Sequence, residues 1–532
     1  MLTATNISLS VAGRELLRDA SFVVNAGDKA AIVGRNGVGK SSLVSLLVGE
    51  PPPHVAATGE VQVTGSLGHL PQVPVHGGLG TDPSAISHVL SARGLDRLDV
   101  ALSEARKRMS ADPTAENIAV FSDTEERYRA LGGYEAESTL ARMADGLGLR
   151  QELLFEDADS LSGGQRRRLD LMRVLFGQPE VMVLDEPTNH LDAPAKRWLM
   201  GQLDRFSGAL LLVSHDLTLL DRSITKVLHL QRGALQEFKG TYSSYRLQLA
   251  AREDQQDRLA ARQEREVKRL STLADTMRGG TARRARTARS LDTRVERLKK
   301  HQTARATRER HSRFRLPLPA RAGETPLEIR GLAVSYGPAR VLHEVSMALH
   351  RGDRAVVVGR NGAGKSSLLR CVAGMQQPTT GEVVLGQNVS LGYFAQEHEQ
   401  VDLDKRAIDN IDDTFLVAEA DRRALLGSFG LSGELATQLA GSLSGGERAK
   451  LGLAMLAAGW ANVLVLDEPT NNLDPPSVAA VASMLSAWPG TVVAVSHDRS
   501  FVEALEPTHA LLLPEERFDY WRDDLLDEVQ LR

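Results

Sequence analysis

The 532-residue chain holds one cysteine, Cys371, so it can form no intrachain disulfide and no thiolate cluster for zinc or iron–sulfur. Long apolar runs are also lacking. The longest, Leu451 to Leu466, has 16 residues and is interrupted by Gly452, Gly459, Trp460 and Asn462, which is too short to span a bilayer. No lysine or arginine precedes Arg14, so the basic start of a secretory signal is missing. These absences predict a soluble protein of a reducing compartment, the cytosol. With 42 % hydrophobic and 25 % charged residues the composition is globular, which excludes a disordered or fibrous chain.

The net charge of −4 is unevenly spread. Thr276 to Leu316 carries 14 Lys/Arg against 3 Asp/Glu, a local +11 that leaves −15 for the remainder. An excess of this size reads either as a solvated helix face or as an electrostatic footprint for a polyanion.

The chain is a duplication around that basic segment. Gly34-Arg35-Asn36-Gly37-Val38-Gly39-Lys40-Ser41-Ser42 recurs as Gly359-Arg360-Asn361-Gly362-Ala363-Gly364-Lys365-Ser366-Ser367, at an offset of 325. Leu161-Ser162-Gly163-Gly164-Gln165 recurs as Leu443-Ser444-Gly445-Gly446-Glu447 at an offset of 282. At that same offset, Asp185-Glu186-Pro187 recurs as Asp467-Glu468-Pro469, and Ser214-His215-Asp216 as Ser496-His497-Asp498. The first copy thus has 43 extra residues, nearly all after Gln72, whose counterpart is Gln396.

Short apolar runs precede each motif and alternate with helical patterns, which predicts two α/β lobes, 1–240 and 326–532, joined by a linker, 241–325. The surplus reads as a helical arm over about 93–138. Leu95, Leu98, Leu102, Ala105 and Met109 form one stripe, and Ile118, Phe121, Tyr128 and Leu131 resume it after Asp112-Pro113. With 7 basic and 10 acidic residues between Arg93 and Glu137, the arm is no general nucleic-acid binder. In the linker, Val267, Leu270, Ala274 and Met277 face Leu291, Val295 and Leu298, which predicts an antiparallel helical hairpin. Its first helix would reach ~50 Å at 1.5 Å per residue. Its tip, at 278–290, would present Arg278, Arg283, Arg284, Arg286 and Arg289.

The glycine-rich loops are built to surround phosphate oxygens with backbone N–H groups. Lys40 and Lys365 would reach the β/γ-phosphates, and the Ser41 and Ser366 hydroxyls would ligate magnesium. Asp185 and Asp467, at strand ends, would hold the magnesium shell. Glu186 and Glu468 follow where a carboxylate can polarise an attacking water. His215 and His497 could contact the γ-phosphate, while Gln72 and Gln396 could sense magnesium or water.

This set, with the Leu-Ser-Gly-Gly-Gln/Glu signature, resembles the ATP-binding-cassette ATPases. The resemblance implies two composite sites in one chain, each signature closing over ATP held by the other lobe. One joins the first loop, Gln72, Asp185, Glu186 and His215 to Ser444, Gly445, Gly446 and Glu447. The other joins the second loop, Gln396, Asp467, Glu468 and His497 to Ser162, Gly163, Gly164 and Gln165. Tyr336 lies 23 residues before Gly359, where these ATPases commonly stack an aromatic on adenine. The matching position before Gly34 is Val11, so the two sites are expected to hold nucleotide unequally.

A transporter ATPase subunit would need a separate membrane partner and would leave the basic hairpin unexplained. A zinc-bearing repair ATPase is excluded by the single cysteine. Two cassettes, an arm in the first and a basic hairpin between them resemble the ABC-F family. That resemblance implies a magnesium-dependent ATPase, monomeric with its cassettes paired, that enters the ribosome. The hairpin would then lie against tRNA and rRNA near the peptidyl-transferase centre, and the arm would meet ribosomal elements. Members either tune translation or protect ribosomes from antibiotics; the short hairpin tip leans towards the former.

Overall fold

Val181, Met182, Val183 and Leu184 are apolar without alternation because their strand, Val181–Asp185, is covered on both faces and wholly buried. The counterpart Val463–Asp467 is buried in the same way. The computed structural model describes all residues except 12–13, 35–36, 53–54, 73–83, 190, 232, 279–281, 301–313, 338, 361, 397–398, 412–415, 417 and 527–532. Arg35, Asn36 and Asn361 lie outside the described residues, as do the side chains of Arg278, Arg283, Arg284 and Arg286.

The chain forms two units, Met1–Glu237 with Ser312–Arg532, and Phe238–His311. The larger unit is α/β and contains the same architecture twice. In the first copy a six-stranded sheet runs in the order Leu67–Leu70, Val181–Asp185, Ala209–Val213, Lys29–Val33, Lys226–Gln231, Ala234–Lys239. The first five strands pair in parallel. A three-stranded antiparallel sheet with Leu2–Val11 at its centre accompanies it. The second copy repeats both sheets, with Arg354–Val358, Val463–Asp467 and Thr491–Val495 among the parallel strands. Parallel strands end together, so the loops after their carboxyl ends form one crest, where ligands of such sheets bind.

The first core joins Leu2, Ile7 and Leu43 to Val183, Leu211 and Val213. Each Val or Leu so buried stabilises the fold by roughly 1.5–3 kcal/mol. The second cassette's larger core includes Phe314, which stacks on Phe429 at 4.7 Å between ring centroids. Trp488 Nε1 also donates to Pro317 O at 3.0 Å. The segment expected to end the linker at 325 therefore belongs to the second cassette from Phe314 onward. Apolar burial sets that boundary.

The arm comprises helices Leu95–Ala111 and Ala115–Ala130, followed by Gly133–Gly146. Leu102 and Ala105 are buried as the stripe requires, but the Ala115–Ala130 helix buries no residue. Ile118, expected on the inner face, is exposed, as is Leu131. The neighbours of the Ala115–Ala130 helix, the helix before it and Tyr134 of the helix after it, cover only part of its surface.

The smaller unit is an antiparallel pair, Tyr242–Arg278 and Ala282–Lys300. Leu270, Ala274 and Val295 are buried between the helices, whereas Arg289 is exposed. The expected tip at 278–290 is shorter than the pattern suggested. Residues 283, 284, 286 and 289 belong to the second helix, because arginine and alanine are good helix formers.

Candidate functional site

Each phosphate loop leads from a central strand into a helix, Lys40–Leu47 in the first cassette and Lys365–Val372 in the second. Gly39 and Gly364 precede these helices with φ of 102° and 91°. A Cβ on Gly39 would stand 2.9 Å from Leu16 Cδ1, and one on Gly364 2.7 Å from Leu342 Cδ2. Both dihedral and space therefore demand glycine. Lys40 Nζ donates to Gly34 O at 2.9 Å and Lys365 Nζ to Gly359 O at 2.6 Å. Burial lowers the pKa of both ammonium groups, opposed by Glu186 beside Lys40 and by Glu468 beside Lys365. Val38 and Ala363 pack their side chains against the cores.

The carboxylates arrive from the neighbouring strand. Asp185 and Asp467 end their strands, and each is buried. Burial raises their pKa, to about 6 for Asp467, opposed by the hydroxyls of Ser41 and Ser366 respectively. Among the described residues, one oxygen of each aspartate, Oδ1, has no hydrogen-bond partner. A buried carboxylate oxygen without a donor beside a serine hydroxyl is a donor set suited to a hard divalent cation. Ser41 Oγ also donates to Gln72 Oε1 at 3.2 Å.

Glu186 and Glu468 carry φ of 51° and 49°, a left-handed conformation that costs a non-glycine residue about 1–3 kcal/mol. Glu186 N donates to Val213 O at 2.8 Å and Glu468 N to Val495 O at 3.0 Å, so the adjacent strand holds each in place. His215 Nε2 lies 3.5 Å from Glu186 Oε1, and His497 Nε2 lies 3.4 Å from Glu468 Oε1. Burial pushes both glutamates' pKa upward. Burial, then the phosphate-loop lysines, push both histidines down to about 3, so the imidazoles are neutral.

The two signatures face the opposite loops. A cavity of about 1860 Å³ is lined by Ser162, Gly163, Gly164 and Gln165 of the first cassette. Its other wall is Tyr336, Gly362, Gly364, Lys365, Ser366, Ser367, Gln396, Asp467, Glu468 and His497 of the second. The Tyr336 hydroxyl lies 3.0 Å from Ser367 Oγ and donates to Gln376 Oε1 at 2.9 Å. On the other side, Glu447 occupies the space that a Cβ on Gly37 would need. Both expected pairings are thus brought together in space.

Gln165 and Glu447, placed at the opposite loops, also cap their own helices. Each completes a capping box, with Ser162 N donating to Gln165 Oε1 at 2.9 Å and Ser444 N to Glu447 Oε2 at 2.9 Å. Ser162, Gly163 and Gly164, at the start of the first signature helix, line the cavity, and a helix start is where the dipole favours an anion.

Sequence reasoning passed over Arg167, Lys196 and Lys450. Buried Arg167 donates to the carbonyls of Pro71 and Asp185, bracing the acid-ended strand, where the second cassette has Ala449. Lys450 lies 3.8 Å from Asp474, and Lys196 lies 3.0 Å from Asp216. A run of arginines after the signature offered a signal for Arg167; nothing in the spacing marked the lysines.

An ABC transporter family model matches residues 17–189 and 342–471, and a further ABC transporter model matches 228–315. The chain is 33 % identical, over 100 % of its length and 84 % of the relative's, to the putative ATP-binding protein YdiF of Bacillus subtilis. It is 32 % identical to the probable ATP-binding protein YheS of Escherichia coli K12, covering 95 % of this chain and 77 % of YheS. It is also 32 % identical to the energy-dependent translational throttle protein EttA of that strain, covering 94 % of this chain and 89 % of EttA. Among solved structures, the archaeal ribosome recycling factor aABCE1 shares the fold with a TM-score of 0.52 at 20 % identity, over 94 % of this chain and 86 % of that one. Among the described residues no helix is long and apolar enough to cross a membrane. Tandem phosphate loops, facing signatures and these full-length likenesses place the chain in the ABC-F family of ATP-binding-cassette ATPases.

Proposed function

We propose that this ATPase binds the ribosome and modulates translation, with ATP closing the cassettes and hydrolysis releasing them. The observation that carries the reading is the trans arrangement of signature and phosphate loop within one chain, in a protein similar over most of its length to a translational throttle protein. In each site the loop N–H groups and Lys40 or Lys365 hold the β/γ-phosphates. Glu186 or Glu468 takes a proton from the attacking water, and neutral His215 or His497 hydrogen-bonds at the γ-phosphate. Ser41 with Asp185, and Ser366 with Asp467, would hold Mg²⁺, with Gln72 and Gln396 as further candidate ligands; once bound the ion would neutralise phosphate charge. The Ser162 and Ser444 ends of the signature helices supply the opposite wall.

The basic hairpin, with exposed Arg289, is read as the element that meets tRNA and rRNA near the peptidyl-transferase centre. The acidic arm is read as a contact to a ribosomal element. Only residues 279–281 separate the hairpin helices, which favours a general translation factor over antibiotic protection. Paired cassettes within the chain support action as a monomer in the cytoplasm.

The test is co-sedimentation of the Glu186→Gln/Glu468→Gln chain with purified ribosomes in ATP and in ADP. Recovery with ribosomes in ATP, and inhibited translation, is the expected result. Recovery only in the ribosome-free fraction, or a stable complex with a membrane protein, would overturn the reading.

A further inference from the structure

The two signatures differ at their last residue, Gln165 in the first cassette and Glu447 in the second. Both residues complete a capping box, so the local fold does not require the difference. Charge is what changes. Glu447 is buried, and its Oε2 accepts from Ser444 N at 2.9 Å and from Ser444 Oγ at 2.7 Å. Its Oε1 occupies the space that a Cβ on Gly37 would need, so the other oxygen of the carboxylate stands against the first phosphate loop.

The signature of the other composite site carries a neutral amide in this place. Gln165 Oε1 accepts from Ser162 N at 2.9 Å, and among the described residues Ser162 Oγ makes no donation to Gln165. Gly362 corresponds to Gly37 at the offset of 325, and a Cβ there would meet nothing within 4 Å. A helix start and a phosphate loop both attract anions through their backbone N–H groups. At the Lys40 site the protein's own carboxylate takes up part of that attraction, engages the Ser444 hydroxyl and adds a negative charge beside the loop. At the Lys365 site the amide leaves the attraction to the phosphate.

We propose that Glu447 is a specificity-determining residue that weakens the hold of the Lys40 site on the γ-phosphate. That site therefore separates ATP from ADP less sharply than the Lys365 site does. The inference rests on the reading that each loop holds phosphates opposite the other cassette's signature. It is distinct from stacking on Tyr336, which acts on the adenine of ATP and of ADP alike.

The experiment uses the full chain with one loop silenced. Lys365→Ala leaves the Lys40 site, and Lys40→Ala leaves the Lys365 site. Equilibrium binding of ADP and of the non-hydrolysable β,γ-imido analogue of ATP is measured with magnesium, together with the thermal midpoint of the nucleotide-free chain. Glu447→Gln is expected to tighten the analogue at the Lys40 site by about 5-fold or more, the effect of removing a like charge beside a phosphate. ADP, which lacks the γ-phosphate, should change by less than about 2-fold, because the repulsion falls with distance. The thermal midpoint should hold, since glutamine completes the capping box as glutamate does. The reciprocal change, Gln165→Glu, should weaken the analogue at the Lys365 site by a similar factor. Unchanged or weaker analogue binding after Glu447→Gln, equal changes for ADP and the analogue, or a change that follows a shifted thermal midpoint would overturn the proposal. If Lys40→Ala and Lys365→Ala each leave the nucleotide bound per chain unchanged, the assignment of the two loops fails first and takes the role of Glu447 with it.

Discussion

Asn189 Nδ2 donates to Asn472 Oδ1 at 3.4 Å, across 283 positions of sequence. Each asparagine belongs to the turn that follows an acid-ended strand. Asn189 N donates to Glu186 O at 3.3 Å, and Asn471 N donates to Glu468 O at 3.1 Å. The turns that hold the glutamates in their left-handed conformation therefore also carry the contact between cassettes. The contact between cassettes and the aim of the two carboxylates thus depend on the same two turns.

Replacing Glu186 and Glu468 together by glutamine preserves shape and removes the proton acceptor. Turnover is expected to fall by about 10²–10⁴-fold while ATP binding persists. Phosphate release and equilibrium nucleotide binding, measured on the same preparation, check both halves.

His215 and His497 have pKa values of about 3 in the folded chain, set first by burial and then by Lys40 and Lys365. An unfolded histidine titrates near 6.5, so below that pH the unfolded state binds protons that the native state refuses. Their contribution to stability is thus whole above pH ~6.5 and is lost as pH falls toward 3, at up to about 1.4 kcal/mol per pH unit for each histidine. Replacing both by glutamine should flatten the acid limb. Urea midpoints of the nucleotide-free chain at pH 7.5 and 5.5 should lie closer together in the double variant than in the parent.

Changing Arg283, Arg284, Arg286 and Arg289 to glutamine keeps helix propensity nearly unchanged. If these residues meet RNA phosphates, ribosome affinity should weaken and the slope of log affinity against log salt should flatten by about 0.7–0.9 per lost contact. Turnover of ATP without ribosomes should persist, because the loops and signatures belong to the other unit. An unchanged affinity and salt slope would return the segment to a solvated face.

Phe314→Ala removes a ring that is 6 % exposed and stacked within 10° of parallel on Phe429. The loss is expected to be about 3–5 kcal/mol, in the range for a buried phenylalanine. Denaturant unfolding followed by limited proteolysis should show the damage in the second cassette, beginning with the segment after residue 314.

The chemistry of this protein was written locally in its sequence. A phosphate loop, an acid at a strand end and a capping box at a helix start are each made by a few consecutive residues. Two copies in register were therefore sufficient to read the fold and the phosphate chemistry, while the pairing of lobes followed from the resemblance to the ATP-binding-cassette ATPases. What local pattern could not contain was any property owed to a partner far along the chain. The left-handed φ of Glu186 and Glu468 depends on hydrogen bonds to Val213 and Val495. The exposure of Ile118 depends on how little of the arm its neighbour covers, and the place of Phe314 on a ring 115 positions later. Lys196 was silent because its ion-pair partner, Asp216, lies 20 positions further along the chain and is brought to 3.0 Å only by the fold. Charge acts through space and burial, and neither distance nor burial is set by neighbours in sequence.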